Sequence, residues 1–127
     1  MTMTAPTYSI SEVAEQTGLS THALRYYERA GLMLEPVDRA SSTHRRYSEA
    51  AVRWVGFLTK LRSTGLPIAR LRQYVDLARS GESTIPDRLE LLLLHRISVT
   101  AQLAVMTESL AAIDFKIATY QGRTPTE

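Results

Sequence analysis

Residues 20–31 read STHALRYYERAG, and the rest of this 127-residue chain takes its meaning from that stretch. Wound as a helix at about 100° per residue, it places His22, Arg25, Tyr26 and Arg29 on one stripe, and Ala23, Leu24, Tyr27 and Ala30 on the opposite one. One face is polar and suited to readout; the other is suited to burial. Ser20 or Thr21 supplies a hydroxyl for the orphan first-turn amides, and Gly31 supplies the left-handed residue that ends a helix.

Upstream, Ser11 to Thr17 closed by Gly18 predicts a second short helix. Its N-cap is either Ser9, in a capping box with Glu12, or Ser11 alone. Ile10, Val13, Ala14 and Leu19 form its inward face. Two short helices joined by a tight glycine turn make a helix-turn-helix, whose second helix enters the major groove of DNA. Tyr8 to Ile10 reads as a brief strand or the lead-in to the first helix, and residues 1–7 as a frayed arm.

Downstream, Leu32 to Ser42 has no helical periodicity, and together with THRRY it predicts a β-hairpin wing turning around residues 39–43. Arg45 and Arg46 alternate along its second strand, so only one faces the DNA. Ser48 then opens a helix with Ala51, Trp54, Val55, Leu58 and Leu61 on its apolar stripe, broken by Gly65 and Pro67. Lys60 and Arg62 lie near that break, either as a second wing over the DNA backbone or as a solvated charge run. A further helix, from about Ile68 to Arg79, buries Ile68, Leu71, Val75 and Ala78 and stops at Gly81.

The last element differs in kind. Pro86 suits a first helical position, Ser83 or Thr84 a cap, and Asp87 the positive helix end. No breaker follows until Gly122, which predicts a helix of about 34 residues and roughly 50 Å. Steps of three and four through it select Leu89, Leu92, Arg96, Val99, Leu103, Met106, Leu110, Ile113, Ile117 and Tyr120. All but Arg96 are apolar, over more than four heptads, which predicts a coiled coil. Leaving that seam in water forfeits about 1.5 to 3 kcal/mol per large side chain, so a homodimer is expected. The period does not set whether the partner helix runs parallel or antiparallel. Arg96 at a seam position is suited to setting register, or its stem snorkels to solvent.

Composition narrows the function classes. With no cysteine, disulfides, thiolate metal sites, iron–sulfur clusters and thiol switches are excluded. Three scattered histidines do not make a metal site, and no cofactor is expected. No apolar run approaches a membrane span and no leader pattern opens the chain, so a soluble, cytoplasmic protein without membrane contact is expected. Between Arg39 and Arg79 nine basic residues face two acidic ones, a local +7, whereas from Gly81 onward six acidic residues outnumber four basic ones. Such a basic stretch suits a polyanion. Paired carboxylates, a phosphate loop, or a nucleophile with a positioned base are missing, which argues against an enzyme. A coiled-coil interaction adaptor with only non-specific DNA affinity is the competing class.

STHALRYYERAGL at 20–32, HRRYSEAAV at 44–52, KLRSTGLPIARL at 60–71 and the long final helix together resemble the MerR family of bacterial transcriptional regulators, over roughly Tyr8 to Tyr120. The resemblance implies a short member without an effector domain. It further implies an antiparallel coiled-coil homodimer that sits on a palindromic site in double-stranded promoter DNA, distorts that DNA, and shares the promoter with RNA polymerase. Carried over position by position, Thr21, His22 and Arg25 fall at base edges, Tyr26 and Tyr27 at the aromatic pair, and Arg45 and Tyr47 at the wing's R-x-Y, with Lys60 and Arg62 as further DNA contacts. Tyr47 has packing under the wing as its other reading. Thr43 and His44 replace the glycine and aromatic usual in the wing. The expected fold is therefore mainly α: a winged helix-turn-helix DNA-binding domain over 8–81 and a dimerisation coiled coil over 82–121, between the arm at 1–7 and a short tail at 122–127.

Overall fold

A computed structural model describes residues 6–34, 38–40 and 44–123, without the side chains of 38–40, 44 and 45. The chain runs β1 (Thr7–Tyr8), α1 (Ile10–Thr17), α2 (Thr21–Arg29), β2 (Asp38–Ala40), β3 (His44–Ser48), α3 (Glu49–Ser63), α4 (Ile68–Arg79), a 3-10 turn (Glu82–Thr84) and α5 (Ile85–Tyr120). This is the expected mainly helical, winged helix-turn-helix fold followed by one long helix.

Local chemistry accounts for the helix starts. Ser9 and Glu12 form a reciprocal capping box, Ser9 Oγ accepting from Glu12 N at 3.2 Å and Glu12 Oε1 accepting from Ser9 N at 3.0 Å. That settles the choice between Ser9 and Ser11. Ser20 caps α2 through Ala23 N at 3.1 Å, and Ser48 caps α3 through Ala51 N at 3.1 Å. Gly18 ends α1 at φ 76°, where an L side chain is strained.

The sheet has three strands, in the order β1-β3-β2. Ala40 pairs with His44 and Arg39 with Arg45, so both residues that were expected in the wing's turn at 39 and 40 belong to its first strand. The turn at 41–43 lies outside the described residues. Thr7 pairs with Ser48, so Thr7 is a strand residue and not part of a frayed arm; residues 1–5 of that arm lie outside the described residues.

Contact between α1 and α2, α3 and β3, and between α3 and α4, encloses the core of the head. Val13, Leu24, Leu32, Tyr47, Val55, Leu58, Leu71 and Val75 are its most completely buried side chains. Tyr74, absent from the expected stripe of α4, is also buried, because its ring stacks on Trp54 at 5.8 Å and lies against Phe57 at 5.8 Å with a tilt of 59°.

The chain divides into two compact units, one reaching to Leu89 and one from Glu90 onward. The sequence reading divides it at 81/82 instead. Residues 82–89 stay with the head because Thr84 Oγ1 donates to Leu77 O and Gly81 O, and Arg88 donates to Thr84 Oγ1 at 3.1 Å and Gly81 O at 3.0 Å. Thr84 thus serves as a side-chain tie and not as a simple helix cap.

In the second unit α5 is apolar on more than one face. The seam residues Leu103, Met106, Leu110, Ile113 and Tyr120 are exposed, as are Leu94, Ile97, Val105 and Phe115 outside the seam. By length and mean hydropathy the segment Glu82–Tyr120 is long and apolar enough to cross a membrane, contrary to the reading from uninterrupted runs. The two measures differ because Glu90, His95, Arg96 and Gln102 interrupt a strict apolar run while the leucines around them hold up its average.

Candidate nucleic-acid interface

The exposed stripe of α2 has the composition expected of it. His22, Arg25, Tyr26 and Arg29 are exposed, Thr21 is half-buried, and Leu24 and Tyr27 are buried on the opposite face. Tyr26 is 41% exposed and Tyr27 7%, so the adjacent tyrosines part company, their rings 6.2 Å apart and tilted by 56°. Tyr26 is available to a ligand, whereas the Tyr27 ring belongs to the core.

Three sets of bonds hold α2. At its entry the turn after α1 is closed by Gly18 N donating to Ala14 O at 2.9 Å and Leu19 N to Thr17 Oγ1 at 3.3 Å. In its last turn Glu28 accepts from the hydroxyl of Tyr47 on β3. At its exit Ala30 N donates to Tyr26 O at 2.8 Å, Gly31 N to Glu28 O at 3.1 Å and Leu32 N to Tyr27 O at 2.9 Å, with Gly31 at φ 72°.

Tyr47 requires a correction. It was expected to contact DNA, but its ring is 1% exposed and its hydroxyl is committed to Glu28. A buried phenol with an internal acceptor positions the wing against α2 and offers nothing to an outside partner. Arg46 is likewise engaged, Nε donating to Thr7 Oγ1 at 3.0 Å and Nη2 to Thr7 O at 3.4 Å. The side chain of its neighbour Arg45 lies outside the described residues.

Lys60 and Arg62 also separate. Lys60 is exposed. Arg62 Nη1 donates to Leu66 O at 2.7 Å and so closes the turn between α3 and α4, which makes Arg62 a turn brace before it is a DNA contact. The same holds for much of the basic stretch. Arg72 Nη1 donates to Ala30 O at 3.0 Å, Arg79 Nη2 to Gly31 O at 2.7 Å, and Arg70 to Gln73 at 2.9 Å. The local +7 is therefore not one free surface: Arg46, Arg62, Arg70, Arg72 and Arg79 all spend donors inside the head.

Among the described residues no group of three or more His, Asp or Glu could hold a metal ion. Glu12 has its carboxyl held below the ordinary 4.5 by the hydrogen bonds from Ser9, backbone first. Tyr8 has its phenol pushed above the ordinary 10.0 by desolvation, then by its 3.2 Å hydrogen bond to Glu49.

Residues 8–77 match the model of the MerR HTH family regulatory proteins. An uncharacterised HTH-type transcriptional regulator of Haemophilus influenzae is 30% identical over 115 residues, covering 91% of this chain and 84% of its own length. The HTH-type transcriptional regulator AdhR of Bacillus subtilis is 40% identical over 84 residues, which cover 66% of this chain and 59% of that protein. Among solved structures, HiNmlR, a MerR family regulator lacking the sensor domain, bound to promoter DNA, superimposes with a TM-score of 0.84 at 29% identity, covering 91% of this chain and 87% of its own. A MerR family regulator structure from Listeria monocytogenes gives a TM-score of 0.77 at 39% identity, over 90% of this chain and 86% of that one.

Proposed function

The chain belongs to the MerR family of helix-turn-helix transcriptional regulators, which are not enzymes, and on that premise we propose that it is a homodimeric, cytoplasmic regulator reading a palindromic promoter site. The observation that carries this reading is the pairing of an exposed polar stripe with a firmly held helix: His22, Arg25, Tyr26 and Arg29 face outward while Leu24 and Tyr27 anchor α2 in the core.

In this reading Thr21, His22 and Arg25 meet base edges, Tyr26 a nearby phosphate, and Arg45 on the wing and Lys60 the flanking backbone. The unit that ends at Leu89, with Thr7 in its sheet, is the DNA-binding domain, and the unit from Glu90 carries the dimerisation coiled coil. The exposed seam of α5 supports the dimer, since Leu103, Met106, Leu110 and Ile113 in water forfeit about 1.5 to 3 kcal/mol each. A two-fold dimer demands a site with matching symmetry. The promoter-bound relative supports promoter DNA as the partner, whereas distortion of that DNA, and a promoter shared with RNA polymerase, are what the family resemblance implies.

Footprinting on the DNA upstream of the chain's own coding sequence tests the proposal. Two symmetric protected half-sites, both lost when either is scrambled, are the expected result. Equal affinity for an isolated half-site would contradict the dimeric reading.

A further inference from the structure

Four successive carbonyls follow α2, and a side chain from α3 or α4 takes each of them. Arg72 Nη1 donates to Ala30 O at 3.0 Å, Arg79 Nη2 donates to Gly31 O at 2.7 Å and also to Met33 O, and Trp54 Nε1 donates to Leu32 O at 2.8 Å. Ala30 is the C-cap of α2, where a carbonyl lacks an intrahelical donor and lies at the negative end of the dipole, and the Arg72 guanidinium answers both needs; Arg79 and Trp54 satisfy the loop carbonyls that follow it. Within the same segment the Leu32 and Met33 side chains are buried.

Arg72 and Arg79 stand two turns apart on α4, so one row of that helix grips the exit of α2. The far end of α4 is pinned in turn, Leu77 O accepting from Thr84 and Gly81 O from Arg88. The grip therefore has a fixed base. By contrast, the entry of α2 carries a single side-chain cap, from Ser20.

We propose that Arg72 and Arg79 are positioning residues for DNA reading, which set the tilt and axial placement of α2 from α4 and do not contact phosphate themselves. The proposal rests on the reading that the exposed stripe of α2 meets base edges. Hydrogen bonds to base edges require donors placed to within about 0.5 Å, whereas phosphate contacts tolerate small shifts. Loosening the grip therefore lowers discrimination between sequences and leaves non-specific attraction nearly untouched. Their separation in sequence from Ala30 and Gly31, 42 and 48 residues, hides this role in a charge count.

The test uses the full chain carrying Arg72→Met with Arg79→Met, beside Arg79→Lys. Fluorescence anisotropy is recorded on a duplex from the DNA upstream of the coding sequence and on a scrambled duplex of equal composition, across a salt series. The expected result is a loss of about tenfold in preference for the upstream duplex, with affinity for the scrambled duplex within about threefold of the parent and the salt slope unchanged. Arg79→Lys, which keeps donors and charge, retains part of the preference. If the double variant melts below the assay temperature, Arg79→Gln is read in the same way. Preference intact in the variant overturns the proposal, as does an equal loss on both duplexes with a shallower salt slope, the mark of direct phosphate contact. A parent chain without preference for either duplex overturns the DNA-reading function itself, and is seen before any substitution is compared.

Discussion

The hydroxyl of Tyr47 donates to Oε1 of Glu28 across 2.8 Å, joining β3 of the wing to α2. The Tyr47 ring is buried, so Tyr47→Phe keeps the packing and removes only this donor to a carboxylate oxygen. A loss of about 1 to 2 kcal/mol in urea unfolding is expected, with operator affinity falling by less than the loss from Arg25→Ala. An unfolding midpoint equal to the parent's would show that the bond contributes nothing.

Gly18 adopts φ 76° between α1 and α2, and a Cβ there meets nothing within 4 Å. The cost of Gly18→Ala is therefore conformational and not steric, about 1 to 2 kcal/mol. Thermal unfolding measures it, and a variant as stable as the parent would refute the strain argument.

Ionised Glu12 is favoured by its hydrogen bonds from Ser9, and its carboxyl lies below the ordinary 4.5 in the folded chain. A depressed folded value adds stability above the unfolded value, lost as pH falls through the folded one. Glu12→Gln keeps an acceptor for the Ser9 amide but no longer titrates. Its melting temperature is expected to fall less than the parent's between pH 6 and about pH 3; parallel curves would contradict the linkage.

Leu110 sits mid-seam on α5 and is 56% exposed in one chain. Leu110→Glu places a charge where a second copy is expected, and should convert a dimer into a monomer in sedimentation equilibrium. A monomeric parent, or one that partitions into lipid vesicles, would refute the coiled-coil dimer.

Much of this architecture is legible in the residues. The 3.6-residue period separates His22, Arg25 and Tyr26 from Leu24 and Tyr27, and the hydroxyl-glycine punctuation places both ends of α2 and the end of α1, while the start of α1 stays open between Ser9 and Ser11. What escaped has physical reasons. Thr7–Tyr8 is too short to show a period of two, and only its pairing with Tyr47–Ser48 makes it a strand. Arg62, Arg72 and Arg79 look like solvated charges, because a side chain that caps a carbonyl at a distance leaves no local pattern. Tyr47 matches a contact motif, yet it is the burial of its ring that decides its role. In α5 a single heptad row does not account for Leu94, Ile97, Val105 and Phe115, which form apolar surface away from the seam.

Arg25 carries the central claim, and anisotropy of the upstream duplex with the parent chain and with Arg25→Ala tests it most directly. Arg25 is exposed on α2, so its removal should leave the melting temperature unchanged. A loss of about 1 to 3 kcal/mol in binding, roughly fivefold to more than a hundredfold, is predicted on the upstream duplex and little on scrambled DNA. Equal affinity of both proteins for both duplexes would contradict sequence reading through α2.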